Sequence, residues 1–147
     1  MLSVRAHSVT IRLATQADIP AMHRVRLAVT ENRLSDPRRV TLADYVPAIA
    51  ELGCGWVAED SGTVVGFAVG CRSGNIWALF VHPDHEGCGY GNALHSAMVS
   101  WLWAQGLQRL WLTTGPRTRA EAFYRSLGWR PCGMGPDGEL RLELDGP

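Results

Sequence analysis

Lysine is absent from this 147-residue chain, and all of its 14 basic side chains are arginine. That absence excludes a P-loop, which needs a lysine after its last glycine. Charge of either sign is sparse. Fourteen acidic residues balance the arginines to a formal net charge of zero, so the positive field of a general nucleic-acid binder is lacking. No apolar run approaches the roughly 18–20 residues needed to span a bilayer. Met1 to Thr10 lacks the apolar centre of a signal peptide, so a cytoplasmic protein with no membrane partner is expected. The cysteines are few and scattered. Cys54, Cys71, Cys88 and Cys132 form no C-x-x-C pair, which speaks against a disulfide framework and a structural zinc site.

What is present suits one globular domain over residues 1–147, with 46% hydrophobic and 19% charged residues. Val9, Ile11 and Leu13 alternate with polar residues, as in a half-buried strand over Ser8–Leu13. Thr15 and Asp18 form a helix start, and the helix is expected to run to about Arg33, before Pro37. A second helix fits Thr41–Leu52 with Gly53 as its stop. Gly55–Glu59 and Thr63–Gly70 read as strands joined by a turn at Asp60, Ser61 and Gly62. Asn75–Val81 is apolar on both faces, with Ile76, Ala78 and Phe80 one way and Trp77, Leu79 and Val81 the other. Tyr90, Ala93, Leu94, Ala97, Met98, Trp101 and Leu102 mark a helix over Tyr90–Gln105. A strand at Arg109–Thr113, a short helix at Ala120–Leu127 and an edge or solvent-facing strand at Glu139–Leu144 follow. The order β-α-α-β-β-β-α-β-α-β describes one mixed α/β domain.

The stretch richest in chemistry joins the doubly covered strand to the strongest helix. Pro83 breaks the strand, and Gly87, Gly89 and Gly91 lead into the helix. Closely spaced glycines let backbone N–H groups converge, and a helix N-terminus adds partial positive charge, so the loop suits a phosphate or pyrophosphate. A turn that merely starts a helix is the plain alternative. The dinucleotide fingerprint does not fit, because the spacing is G-x-G-x-G and the next strand ends without an acid.

Val81, Pro83, then Glu86, Gly87, Cys88, Gly89, Tyr90, Gly91 and Leu94, resembles the Q/R-x-x-G-x-G/A acyl-CoA loop of the GNAT superfamily of N-acetyltransferases. Ala120, Phe123, Tyr124, Gly128 and Trp129 resemble the A-x-x-F-Y-x-x-x-G-F/W segment of the same superfamily. The resemblance implies a GNAT-like fold: a central, mostly antiparallel sheet with a splayed parallel pair, flanked by about four helices. It implies acetyl-CoA as cosubstrate, no metal, and transfer of acetyl to a primary amine, here expected on a small molecule. A non-catalytic acyl-CoA sensor and an acetyltransferase acting on protein N-termini or lysines are the competing readings. Dimers are common in the family. Two departures lower the positive charge of the loop: Glu86 replaces the usual Gln or Arg, and Cys88 stands where a basic residue is frequent. Arg117 replaces the Asn that commonly precedes the Tyr helix.

Residue by residue, the resemblance places Leu79, Phe80 and Val81 against the pantetheine arm, with a backbone N–H, by analogy that of Leu79, polarising the thioester carbonyl. Glu86, Gly87, Cys88, Gly89, Tyr90, Gly91 and Asn92 would hold the pyrophosphate. Tyr124 would protonate the departing thiolate, its alternative being a packed core residue. Asn75 occupies a position where some members carry a catalytic Glu, and an amide cannot act as a base. Glu31, at the end of the first helix, is the substitute base, against its plain reading as a solvated helix acid. His82, Asp84, His85 and Glu86 lack the spacing of a metal site. Trp103 lies off its helix's apolar stripe, as a subunit contact or pocket wall would.

Overall fold

A computed structural model of the chain describes residues 9–29 and 40–147. Strand β1 (Val9–Leu13) leads into helix α1 (Ile19–Ala28), and helix α2 (Leu42–Ala50) precedes strands β2 (Gly53–Asp60), β3 (Thr63–Cys71) and β4 (Ile76–Val81). Helix α3 (Tyr90–Ala104), strand β5 (Arg109–Thr114), helix α4 (Arg119–Ser126), and strands β6 (Arg130–Met134) and β7 (Leu140–Asp145) complete the fold. Strands β1 to β4 form one antiparallel sheet in chain order, and β5, β7 and β6 form a second antiparallel sheet in that order. Among the described residues one parallel bridge, between Asn75 and Trp111, joins the ladders of the two sheets. No helix among the described residues is long and apolar enough to cross a membrane.

Several boundaries differ from those the sequence suggests. Helix α1 ends at Ala28, because Val29 already has an extended backbone (φ −79°, ψ 112°). Gly53 opens β2 and does not cap α2; the Pro47 carbonyl takes the N–H groups of both Glu51 and Leu52 and closes the helix earlier. Strand β6 has no alternating signal at all, since its sequence carries Pro131 and Gly133 and all five residues are exposed. It is an edge strand, where a proline is tolerated. Its presence makes β7 the middle strand of its sheet, not an edge, and buries Leu140 and Leu142. In β1 the alternation is present but the burial is not: Val9 and Leu13 are exposed, because β1 is the outer strand of its sheet.

Two cores lie on opposite faces of the first sheet. Helices α1 and α2 place Met22, Val25, Tyr45 and Ala48 against Val57, Phe67 and Val69. Helix α3 places Leu94, Met98 and Leu102 against Ala58, Val65 and Ala68, and the same cluster continues into Leu110 and Leu142 of the second sheet. A Cβ on Gly70 would come within 2.9 Å of Leu102 and 3.0 Å of Met98, so glycine sets how closely α3 sits on β3. Helix α3 therefore ties the two sheets together where they share almost no hydrogen bonds.

Strand β4 carries an extra residue. Val69 pairs with Ala78 and Gly70 with Ile76, leaving Trp77 as a β-bulge. The alternation expected from the sequence breaks there. Ile76, Leu79 and Val81 join the α3 core, whereas Trp77, Ala78 and Phe80 join the α1/α2 core.

The start of α1 is fixed by a buried acid. Asp18 takes both terminal nitrogens of Arg12 at 2.8 Å and the Thr15 backbone N–H at 2.7 Å, and Arg12 also reaches Glu59 at 2.9 Å. The Arg12 guanidinium lowers the Asp18 carboxyl from 3.8 to about 2. A depressed acid contributes stability that is complete above its unfolded value and fades as pH falls through the folded one. Asp18→Asn should therefore cost about 1–2 kcal/mol at pH 7. The gap between variant and parent in urea melts should shrink from pH 4 towards about pH 2; a gap that stays constant with pH would contradict this assignment.

Candidate active site

Beyond Asn75, β4 and β5 separate. The Trp111 N–H reaches the Gly74 carbonyl at 2.9 Å, and no later bridge joins the strands among the described residues. The divergence opens a cleft of about 1230 Å³ walled by β4, the ends of α1 and β5, the loop before α3, and α4. Backbone phase decides what β4 offers it. The His82 N–H bonds the Val65 carbonyl at 2.8 Å, which makes that pair the hydrogen-bonded kind. Counting back along the antiparallel register, Phe80 and Ala78 also bond to β3, and Leu79 and Val81 turn their N–H and C=O groups the other way, into the cleft. Phe80 thus lends the cleft its ring and not its peptide.

The loop after β4 makes one short helical turn over Pro83–His85 and then reverses. Gly87 (φ +77°) and Gly89 (φ +86°) hold left-handed backbone, and a Cβ at either would meet nothing within 4 Å. Their need for glycine is conformational, and the space beside them is open. Gly89 is the N-cap of α3, so the free N–H groups of the first turn lie at the cleft. This arrangement fits a pyrophosphate. Tyr90 anchors the turn by donating its hydroxyl to Asp60 at 3.0 Å. The loop residues Glu86, Gly87, Gly89, Tyr90, Gly91 and Asn92 all line the cleft; Cys88 does not, and its thiol is exposed outside it. Glu86 is ion-paired with Arg119 at the start of α4, which offsets the negative charge it brings to the loop. Arg117, with φ of 61°, gives its backbone N–H to Glu121 at 2.7 Å, and it lines the cleft as well.

Tyr124 reaches the cleft from α4 and is 6% exposed. It is enclosed by aromatic rings: Phe123 at 5.2 Å, Trp129 at 5.4 Å and His95 at 6.4 Å between centroids. Burial pushes the Tyr124 phenol well above its ordinary value, so the group stays protonated. Trp129 donates its indole N–H to His95 Nε2 at 3.0 Å. Burial lowers the His95 pKa, in keeping with a neutral ring that accepts this bond.

Residues 19–129 match the family described as Acetyltransferase (GNAT) family. The chain belongs to that family. An acetyltransferase from Yersinia pestis is 42% identical over 57 residues, which is 37% of this chain and 40% of that protein. The ribosomal protein bS18-alanine N-acetyltransferase of Haemophilus influenzae is 26% identical over 74 residues, 48% of this chain and 50% of that protein. The matched stretches thus span half or less of the curated relatives. In fold, the chain is similar to yncA from Salmonella typhimurium, whose structure holds acetyl-CoA, with a TM-score of 0.74, 23% identity and coverage of 94% of both chains.

Within this GNAT domain the structure brings Leu79, Phe80, Val81, the glycine loop and Tyr124 to one cleft. Glu31 lies outside the described residues. Asn75 makes the bridge to β5 and also lines the cleft, where its amide cannot act as a base. Trp103 does not line the cleft; half-buried, it packs on the α3 core beside Gly146. Among the described residues no group of three or more His, Cys, Asp or Glu is placed to hold a metal ion. One residue not singled out from the sequence backs the site: His95 packs behind Tyr124, its spacing from Met98 and Val99 putting it on the buried face of α3. Trp129→Phe removes the N–H that His95 accepts and leaves a buried ring nitrogen unpaired. It should cost about 1–3 kcal/mol in denaturant melts at neutral pH, and the gap from the parent should narrow on acidification, because the parent's bond holds folded His95 neutral and the variant's His95 takes up a proton more readily. A neutral substitution would mean that the bond carries no weight.

Proposed function

We propose that this GNAT-family chain transfers acetyl from acetyl-CoA to the primary amine of a small molecule by direct attack. The observation that carries the reading is the cleft itself, where the unpaired β4 edge at Leu79 and Val81, the glycine-capped start of α3 and the Tyr124 phenol all meet. In this reading the first turn of α3 and the loop amides bind pyrophosphate, with Arg117 and Arg119 beside them, and the β4 edge pairs with the amide groups of the pantetheine arm as an added strand would.

The chemistry needs a C–N bond to form and the C–S bond to break. The amine nitrogen attacks the thioester carbon, and the oxygen's growing charge is met by the Leu79 N–H. As sulfur leaves, the Tyr124 O–H gives it a proton; the proton shed by the nitrogen once its bond to carbon has formed passes to solvent at the cleft mouth, and the phenolate is reprotonated from the same solvent. A phenol raised by burial is a reluctant acid towards a thiol of ordinary pKa near 8.5. Sulfur leaving into the same dry setting is made more basic by the same desolvation, so donor and acceptor shift together. The attacking amine enters after losing its ammonium proton, for which Glu31 is the proposed base. Most of the rate then comes from holding amine and thioester together and from the preset N–H dipole.

A second reading, transfer to a protein N-terminus, draws on the likeness to the Haemophilus influenzae enzyme named for ribosomal protein bS18-alanine. An acyl-CoA sensor without turnover is the third. Thiol release from acetyl-CoA, measured with a panel of small amines and with a peptide beginning in alanine, separates the three. Small amines should give release; release with the peptide alone would favour the second reading, and tight CoA binding without release would favour the sensor. Tyr124→Phe should lower kcat by about 100-fold, with KM for acetyl-CoA and the melting temperature close to those of the parent. Unchanged turnover at saturating substrates would remove Tyr124 from the chemistry.

A further inference from the structure

We propose that Arg26 is a carboxylate-binding group at the acceptor end of the cleft, so that the amine acceptor also carries a carboxylate, as an amino acid does. The inference rests on the acetyltransferase reading above and narrows its substrate class.

Arg26 lies near the end of α1 with its guanidinium carbon 5.1 Å from the Trp77 ring centre and 4.9 Å from that of Phe80. The β-bulge at Trp77 is what puts both rings on the α1 side of β4. Stacking on two ring faces fixes the plane of the guanidinium and leaves its N–H edge for a ligand. Its Nη1 is buried without a hydrogen-bond partner, and no carboxylate pairs with it among the described residues. Other arginines in this chain do have acceptors: Arg12 has Asp18 and Glu59, Arg24 the Val64 carbonyl, Arg72 the Glu51 carbonyl, and Arg109 Asp145.

Among the described residues the groups beside Arg26 are neutral, and the carboxylate felt nearby is Asp44, at the Tyr45 hydroxyl. His23 and Tyr45 share a hydrogen bond at 3.0 Å, burial and Arg26 together lower the His23 pKa, and Arg26 itself bears on the Tyr45 hydroxyl. A half-buried guanidinium with an empty donor is an anion site, and its planar fork suits a carboxylate. Its position sets the size of the ligand. Arg26, His23, Trp77, Phe80 and Leu79 line one cleft. Trp77 and Leu79 are two residues apart on β4, about 7 Å, and with a hydrogen-bond length added at each end the α-amine and carboxylate of an amino acid fit within that span.

The test compares thiol release from acetyl-CoA with a set of L-amino acids and the matching L-amino-acid amides, in the parent and in Arg26→Met and Arg26→Gln. In the parent, kcat/KM should favour acids over their amides by about tenfold or more. Both variants should erase that preference through acceptor KM, leave kcat for the amides and KM for acetyl-CoA close to the parent values, and melt like the parent. Equal use of acids and amides by the parent would overturn the proposal. So would variants that lose acids and amides alike, or that raise KM for acetyl-CoA, which would make Arg26 a CoA or structural residue. If no amine of either kind releases thiol, the small-amine reading fails. Calorimetric titration of the same amino acids into CoA-loaded protein then decides the subsite by itself: binding lost in Arg26→Met upholds it, and no binding overturns it.

Discussion

The separation of β4 from β5 after one bridge is the constraint on which the rest of this structure depends. Had the strands stayed paired, the peptide groups of Leu79 and Val81 would have been consumed by the sheet, as those of Ala78 and Phe80 are by β3. Because they diverge, a buried strand presents unsatisfied N–H and C=O groups, each costly to leave unpaired. The opening is stable because the hydrophobic core does not share the break. Helix α3 joins Ala68 of the first sheet to Leu110 and Leu142 of the second through Met98 and Leu102, so the sheets are held by packing where they are not held by hydrogen bonds.

The bulge at Trp77 is the second consequence. A regular β4 would send Trp77 towards α3 with Leu79. The extra residue sends it to the α1 side beside Phe80 and sets an aromatic floor beneath Arg26. One inserted residue therefore does two things: it keeps Leu79 in phase to face the cleft with its backbone, and it builds the side-chain surface next to that backbone. The loop after β4 works by a different means. Gly87 and Gly89 supply left-handed backbone at the N-terminus of α3, and the positive end of the helix substitutes for the basic side chains that Glu86 and Cys88 do not provide.

Much of this was legible from residues alone, and the reasons for what was not are physical. The glycine loop and α3 could be read because glycine spacing and helical periodicity are local. Tyr124 could be placed because its helix carries its own stripe. Strand β6 could not, since an exposed edge strand containing Pro131 and Gly133 is defined by its partner, and with it went the central position of β7. The bulge was equally hidden, because the apolar run of β4 looks the same whichever way each residue faces. His95 was missed for a related reason: a histidine inside an apolar helix carries no sign of whether a donor such as Trp129 waits across the core. Only the fold brings residues that far apart in sequence together.

The absence of lysine takes its meaning from the cleft. If the cleft moves acetyl groups onto amines, as proposed, any amine of its own that lies within reach is at risk. A lysine in the place of Arg26 would present a nucleophile beside the reacting carbon, and its charge would vanish once acetylated. Arginine keeps its proton under all working conditions and its guanidinium is a poor nucleophile, so it holds an anion without competing for the acetyl group. Its plane also stacks where a round ammonium would not, and Arg26 over Trp77 and Phe80 uses that plane directly. Arg117 and Arg119, at the other end of the same cleft, bring positive charge on the same terms.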